Sequence, residues 1–289
     1  MADARPSPAL DVAAPVPLVV PRARTAAPEP RAESRAGRLA KAMLLPAVLF
    51  LWWEFAARSG MLKAESLSMP TAIFRAAWLV VADGSLFKAA GQTFGGAMYG
   101  LAVGGIAGTL VGIAFGLSRR LSQLMRMTTE SLRPIPSVAL IPLALLIHGY
   151  GFKMESSIVA FSSFWPMLII TESAVRGIEP RLLEVARVLG FNLPQRIFKI
   201  ILPAALPRIF VGLRLAAAVA LVVSVTVEIT ANPQGLGYAL IVAQESMRPD
   251  RVFAFIFWIG LIGWAVNWSL LRMQNRWFGR MGNWAESNP

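Results

Sequence analysis

The sequence predicts an all-α integral membrane protein with six transmembrane helices and both termini in the cytoplasm. Three observations carry that expectation. Hydrophobic residues make up 56% of the 289-residue chain and charged ones 15%, against roughly 45–50% and roughly 25% in soluble domains, and the mean hydropathy is +0.57. Uncharged stretches of membrane-spanning length recur along the chain. The basic residues gather on one side of the topology that these stretches define.

Positions 1–38 are rich in Ala, Pro and Arg, with seven prolines in the first thirty positions. Such a segment cannot bury a core and is expected to be a disordered cytoplasmic tail. Its apolar run, 16–20, is too short for a secretory signal. The first span, 39–57, holds Lys41 and Glu54, and Glu54 beside Trp52 and Trp53 is expected to anchor at the interface. The turn Ser68-Met69-Pro70-Thr71 then leads into an amphipathic helix, 72–82, stopped by Asp83-Gly84.

The second span, 89–118, is uncharged for 30 residues and carries Gly96, Gly100, Gly104, Gly108, Gly112 and Gly116 at intervals of four. On a helix these glycines form one groove bare of side chains, suited to close packing within the chain, in a dimer, or at a gating surface. Four further spans are expected at 134–152, 156–175, 209–231 and 252–271, leaving 276–289 as a cytoplasmic tail. The membrane-spanning body is then 39–275. With this topology 21 basic residues fall on the side of the termini and 7 on the other, so the termini are cytoplasmic by the positive-inside rule.

The net charge of +12 belongs with that asymmetry rather than with nucleic acid. There is no cysteine and only one histidine, His148, which excludes disulfides, thiolate zinc and multi-histidine metal sites. No metal or cofactor is expected. No Gly-x-x-x-x-Gly-Lys occurs, so no P-loop cradles a triphosphate and the energy must come from a partner or a gradient.

The loop 176–208 is long in a chain whose other loops are short. Glu179-Pro180 starts a helix, Leu182, Val185, Ala186 and Leu189 share a face, and Gly190 stands where a left-handed stop is wanted. Asn192 and Gln195 have capping-box spacing for a second helix, apolar through Ile197, Phe198, Ile200 and Ile201 and ending at Pro203. Two short helices projecting from a membrane imply that something docks on them. Glu228, an ionisable residue in the fifth span, is either a functional group near Ser224, Thr226 and Thr230 or a fixed packing partner.

Glu184-Val185-Ala186, Gly190 and Ile200-Ile201-Leu202-Pro203 resemble the EAA loop of the membrane subunits of binding-protein-dependent ABC importers. The stretch Leu132-Arg133-Pro134-Ile135-Pro136-Ser137, Gly212-Leu213-Arg214, Glu228 and Gly235-Leu236-Gly237 resemble the branch handling nitrate, sulfonates and taurine. The resemblance spans about residues 40 to 275. It implies a type I ABC importer permease fold, a homodimer, two ATP-binding cassette ATPase subunits and a periplasmic or lipid-anchored solute-binding protein. It also implies that Glu184, Ala186, Gly190, Ile200 and Pro203 couple the chain to the ATPase, and that Glu228, Ser224, Thr226 and His148 are candidates for the translocation path. The middle alanine of the motif is Val185 here, and His148-Gly149-Tyr150-Gly151 stands where the branch often has Phe-Gly-x-Gly. A gradient-driven transporter or channel using Glu228 is the alternative, but it leaves the long loop unexplained. An intramembrane serine–histidine hydrolase lacks a Gly-x-Ser-x-Gly elbow.

Overall fold

The computed structural model describes residues 35–59, 61 and 67–286, with side chains from 43 to 278. The expected disordered tail therefore lies, for 1–34, outside the described residues. The chain divides into Met1–Leu49 and Phe50–Pro289. Of the first unit the described part is the start of α1 (Arg35–Arg58).

In the second unit, the end of α1 is tied to α2 (Pro70–Ala82) by Glu54. Its carboxylate accepts from Thr71 N at 3.1 Å, from Thr71 Oγ1 at 2.9 Å and from Arg58 Nε at 2.7 Å. Helix α2 matches the expected amphipathic element: Pro70, Ala76, Ala77 and Val80 are buried. Asp83 Oδ1 accepts from Ser85 N at 2.9 Å, and Gly84 adopts φ +75° to turn the chain into α3 (Ser85–Leu117). At about 1.5 Å per residue the 33 residues of α3 exceed a bilayer's hydrocarbon thickness.

The core is built by α3, α6 (Phe152–Arg176) and α9 (Leu202–Thr230). The glycine row of α3 lies against α6. A Cβ on Gly100 would stand 2.6 Å from Val159 Cβ, and one on Gly112 would stand 2.7 Å from the Leu168 carbonyl oxygen. From α9, Gly212, Ala216, Ala217 and Ala220 bury a second small-residue face. Side chains this small let backbones approach closely, so contact is gained by dispersion rather than by expelling water. The outside is the reverse of a soluble protein: Ile106, Leu110, Leu146 and Trp264 are all exposed.

Two expectations about helix boundaries change. The third span is not one helix over 134–152. A helix α4 (Arg119–Leu132) is followed, across an 80° bend, by a single 3-10 turn (Ser137–Leu140) and α5 (Ile141–His148). Pro134 and Pro136 account for the break, since neither has an N–H with which to continue a helical ladder. The second loop helix does not stop at Pro203. Following α7 (Pro180–Val188), the short α8 (Leu193–Arg196) runs through a π turn (Ile197–Ile201) straight into α9. Leu202 N bonds back to Ile197 O, and this widened turn lets the ladder pass the proline. Helices α10 (Gly235–Glu245) and α11 (Pro249–Glu286) complete the fold, the latter running through most of the segment expected as a tail. Among the described residues four helices are long and apolar enough to cross a membrane, or five with the bent pair counted as one.

Candidate functional site

The loop after α6 forms because each end of its first helix is specified. Pro180 occupies the first turn of α7, where its missing N–H costs nothing. At the far end Gly190 takes φ +66°, Gly190 N bonds to Arg187 O at 3.0 Å and Phe191 N to Ala186 O at 3.0 Å. This Schellman pattern closes the helix. Asn192 Oδ1 then accepts from Gln195 N at 3.0 Å and Gln195 Oε1 from Asn192 N at 3.1 Å, the capping box expected from the spacing. Lys199 Nζ stands 5.0 Å over the Phe191 ring and braces the two helices.

Of the apolar face foreseen on α7, only Ala186 is buried. Leu182, Val185 and Leu189 are exposed, as are Val188 at 87% and Phe198 at 69%. Glu184 is exposed, Pro203 is exposed and Ile200 is half-buried. A helical hairpin with this much uncovered apolar surface presents a docking face.

A second constellation lies inside the three-helix core. Glu155, in the first turn of α6, is 1% exposed and Glu228, in the last turns of α9, is 2% exposed. Glu155 Oε1 accepts a short bond from the Ser224 hydroxyl, and Oε2 accepts from Asn232 Nδ2 at 2.7 Å. Glu228 Oε2 accepts from Gly237 N at 2.8 Å, while its Oε1 has no partner. Thr93 on α3 accepts from Leu236 N at 2.9 Å, and Gln92 Oε1 accepts from Gly235 N at 3.1 Å. Gly235 needs its φ of +92°, and a Cβ there would collide with the Glu228 carboxylate. The cluster thus pins the turn between α9 and α10 to α3 and α6.

The structure brings together Glu228 and Ser224 of the residues singled out in the sequence, and it separates the others. Thr226 and Thr230 bond to carbonyls of their own helix, at 2.7 Å each. His148 is exposed at the end of α5. Glu155, Asn232 and Thr93 escaped sequence reasoning. Glu155 follows Lys153 in the short gap between two uncharged runs and so looked like a flank, although α6 begins at Phe152 and carries it inward. No group of three or more His, Cys, Asp or Glu able to hold a metal occurs among the described residues.

Residues 100–281 match the family described as binding-protein-dependent transport system inner membrane component. A protein named in Bacillus subtilis (strain 168) as an aliphatic sulfonates transport permease is 33% identical over 223 residues, 77% of this chain and 81% of that protein. The taurine transport system permease protein of Escherichia coli (strain K12) is 30% identical over 177 residues, 60% of this chain and 64% of that one. Among solved structures, an amino acid ABC transporter chain superposes with TM-score 0.57 at 18% identity, covering 70% of this chain and 97% of its own. A chain of an inward-facing methionine ABC transporter gives TM-score 0.55 at 18% identity, covering 72% and 97%. The fold is therefore that of type I ABC importer permeases. From its matched length and its curated relatives, the chain belongs to the binding-protein-dependent transport system inner membrane components, the permease subunits of ABC importers.

Proposed function

We propose that this chain forms the membrane path for a small anion, of the sulfonate, taurine or nitrate kind, and works as a homodimer in the inner membrane. Two ATPase subunits would hydrolyse ATP, and a periplasmic or lipid-anchored binding protein would deliver the solute. Six spans with cytoplasmic termini would place the loop 176–208 on the ATPase side, in keeping with the positive-inside asymmetry. The observation that carries this reading is the hairpin of α7 and α8, shaped by a Schellman stop and a capping box, on which Val185, Val188, Leu189 and Leu193 stay exposed among the described residues.

In this reading ATP binding closes the ATPase pair and draws the two coupling loops together, with Glu184, Ala186, Gly190, Ile200 and Pro203 shaping the docked surface. The fused helix carries the displacement to the core. Such transmission needs a docking free energy that differs between the two states. Purification of the chain from its native membranes, with mass spectrometry of what accompanies it, tests the assignment. An equimolar ATPase with a Walker A loop supports it. A chain that purifies alone and exchanges solute in liposomes without ATP overturns it in favour of a gradient-driven carrier.

A further inference from the structure

A cleft of about 370 Å³ opens where the end of α4, the following 3-10 turn, the middle of α6 and α9 converge. Arg133, Ser137, Phe161, Ser162, Trp165 and Ile169 are among its walls, and no acidic side chain lines it. The 80° break after α4 sets Arg133 and Ser137 on the same cleft from two different helices. Discontinuous membrane helices commonly bring polar groups to a solute in this way.

Arg133 makes no ion pair among the described residues. The indole N–H of Trp165 is shielded from solvent and finds no acceptor, although a tryptophan nitrogen can only donate. Ser162 gives its proton to Ile158 O at 2.9 Å, which leaves its lone pairs but not its hydrogen. A ring packing of Trp165 against Phe161, at 5.7 Å, and Phe164, at 5.0 Å, holds the indole in place. Arg133 is exposed where α4 ends, so its unpaired charge stands at the mouth of the cleft.

The surroundings have the same sign. An adjoining cleft of about 340 Å³ shares Arg133 and Ile169 and adds Arg119, Arg126 and Arg176 against Glu130 and Glu172. Arg126 Nε meets Glu130 at 2.8 Å and Arg176 Nη2 meets Glu172 at 2.9 Å. Arg119 and Arg133 remain uncompensated there, so the two clefts form a positively biased passage, and such fields concentrate anions.

We propose that Arg133, with the hydroxyl of Ser137, forms an anion-selective contact in the translocation path for a small oxyanion bearing a short apolar group. The guanidinium fork matches two oxygens of a sulfonate, carboxylate or nitrate, and the Ser137 hydroxyl can supply a third donor. The apolar walls, Phe161 and Ile169, accept the rest of the solute. This inference rests on the importer reading and deepens it, by placing part of the solute selectivity in this chain rather than only in the binding protein.

The test uses the whole complex with its ATPase and binding protein in proteoliposomes. Uptake per ATP hydrolysed is read for radiolabelled ethanesulfonate, nitrate and choline. Arg133→Gln is expected to lower ethanesulfonate uptake per ATP by about tenfold or more, the loss typical of one charged hydrogen bond. Arg133→Lys, which keeps the charge but loses the fork, is expected to fall between Arg133→Gln and the wild type, an ordering that a purely structural role for the arginine would not give. Arg133→Gln vesicles moving ethanesulfonate per ATP as well as the wild type overturn the site, as does uptake by Arg133→Lys no better than by Arg133→Gln. Wild-type vesicles that import choline and neither anion leave the importer reading standing and overturn the anion contact. Wild-type vesicles in which ATP drives no uptake of any of the three, with no ATPase bound, overturn the importer reading itself.

Discussion

Adjacent glycines of α3 should respond to the same substitution in opposite ways. A Cβ at Gly104 would stand 2.8 Å from the carbonyl carbon of Ala160 and 2.9 Å from its Cα, with the carbonyl oxygen closer still. Ordinary contact between carbons is about 3.5–4.0 Å, and the obstacle is backbone, which cannot rotate away. Helices α3 and α6 must therefore part by about 1 Å. That loosens a face running from Gly96 to Gly116, and overpacking of this kind costs about 3 kcal/mol. At Gly105 a Cβ would meet Met167 Cγ at 3.8 Å and Leu101 Cδ1 at 4.0 Å, both ordinary contacts. There the gain in helix propensity, about 1 kcal/mol, stands unopposed. Gly104→Ala is thus expected to melt lower by about 6–12 °C in detergent, at about 2–4 °C per kcal/mol, and Gly105→Ala no lower than the wild type. Fluorescence-detected gel filtration after heating measures both. Equal melting of Gly104→Ala and the wild type would show that α3 does not pack on α6 through this groove.

Three further outcomes follow from the site. Glu155→Gln should be tolerated, because Asn232 Oδ1 has no partner and can turn to accept the new amide, whereas Glu155→Leu strands Asn232, leaves Ser224 only its 3.3 Å bond to Thr93 O, and should cost about 1–3 kcal/mol; urea or thermal unfolding of both variants checks the order. Gly235→Ala, which adds a Cβ at φ +92° into the Glu228 carboxylate, should sharply reduce folded yield, and normal yield would contradict the pinned turn. Glu184→Lys and Gly190→Val should leave insertion and dimerisation intact while abolishing transport and weakening ATPase retention on an affinity column; normal transport in both would remove the coupling role of the loop.

The parts of this fold written in local chemistry were legible. Asn192 and Gln195 declare a capping box, Gly190 a left-handed stop, Asp83-Gly84 the end of α2, and all three rest on residues within a few positions of one another. What depended on tertiary context was not. Pro203 reads as a helix stop because a proline opposes an ordinary α-helical ladder, and nothing in the sequence announces the π turn that carries the chain past it. Pro134 and Pro136 were placed at the edge of a span when they stand at a bend between two helices. Glu155 was invisible for a similar reason: a carboxylate two residues from a lysine looks solvated until a hydroxyl from α9 and an amide from the turn after it close over it. Of the candidates for the path, Glu228 and Ser224 meet in space while Thr226 and His148 lie elsewhere, since helical periodicity tells which residues share a face but not which face is turned inward.

The continuity of α8, the π turn and α9 has a mechanical meaning. Their 4, 5 and 29 residues make a single rod, and at about 1.5 Å per residue it is nearly 60 Å long, with one end in the exposed hairpin and the other at Glu228. A rod has leverage where a hinge would absorb motion. Tilting it by about 10° about its buried end would sweep the hairpin through roughly 10 Å, while Ser224, four residues from Glu228, would move by only about 1 Å. The molecule is geared down: coarse movement outside, fine movement within.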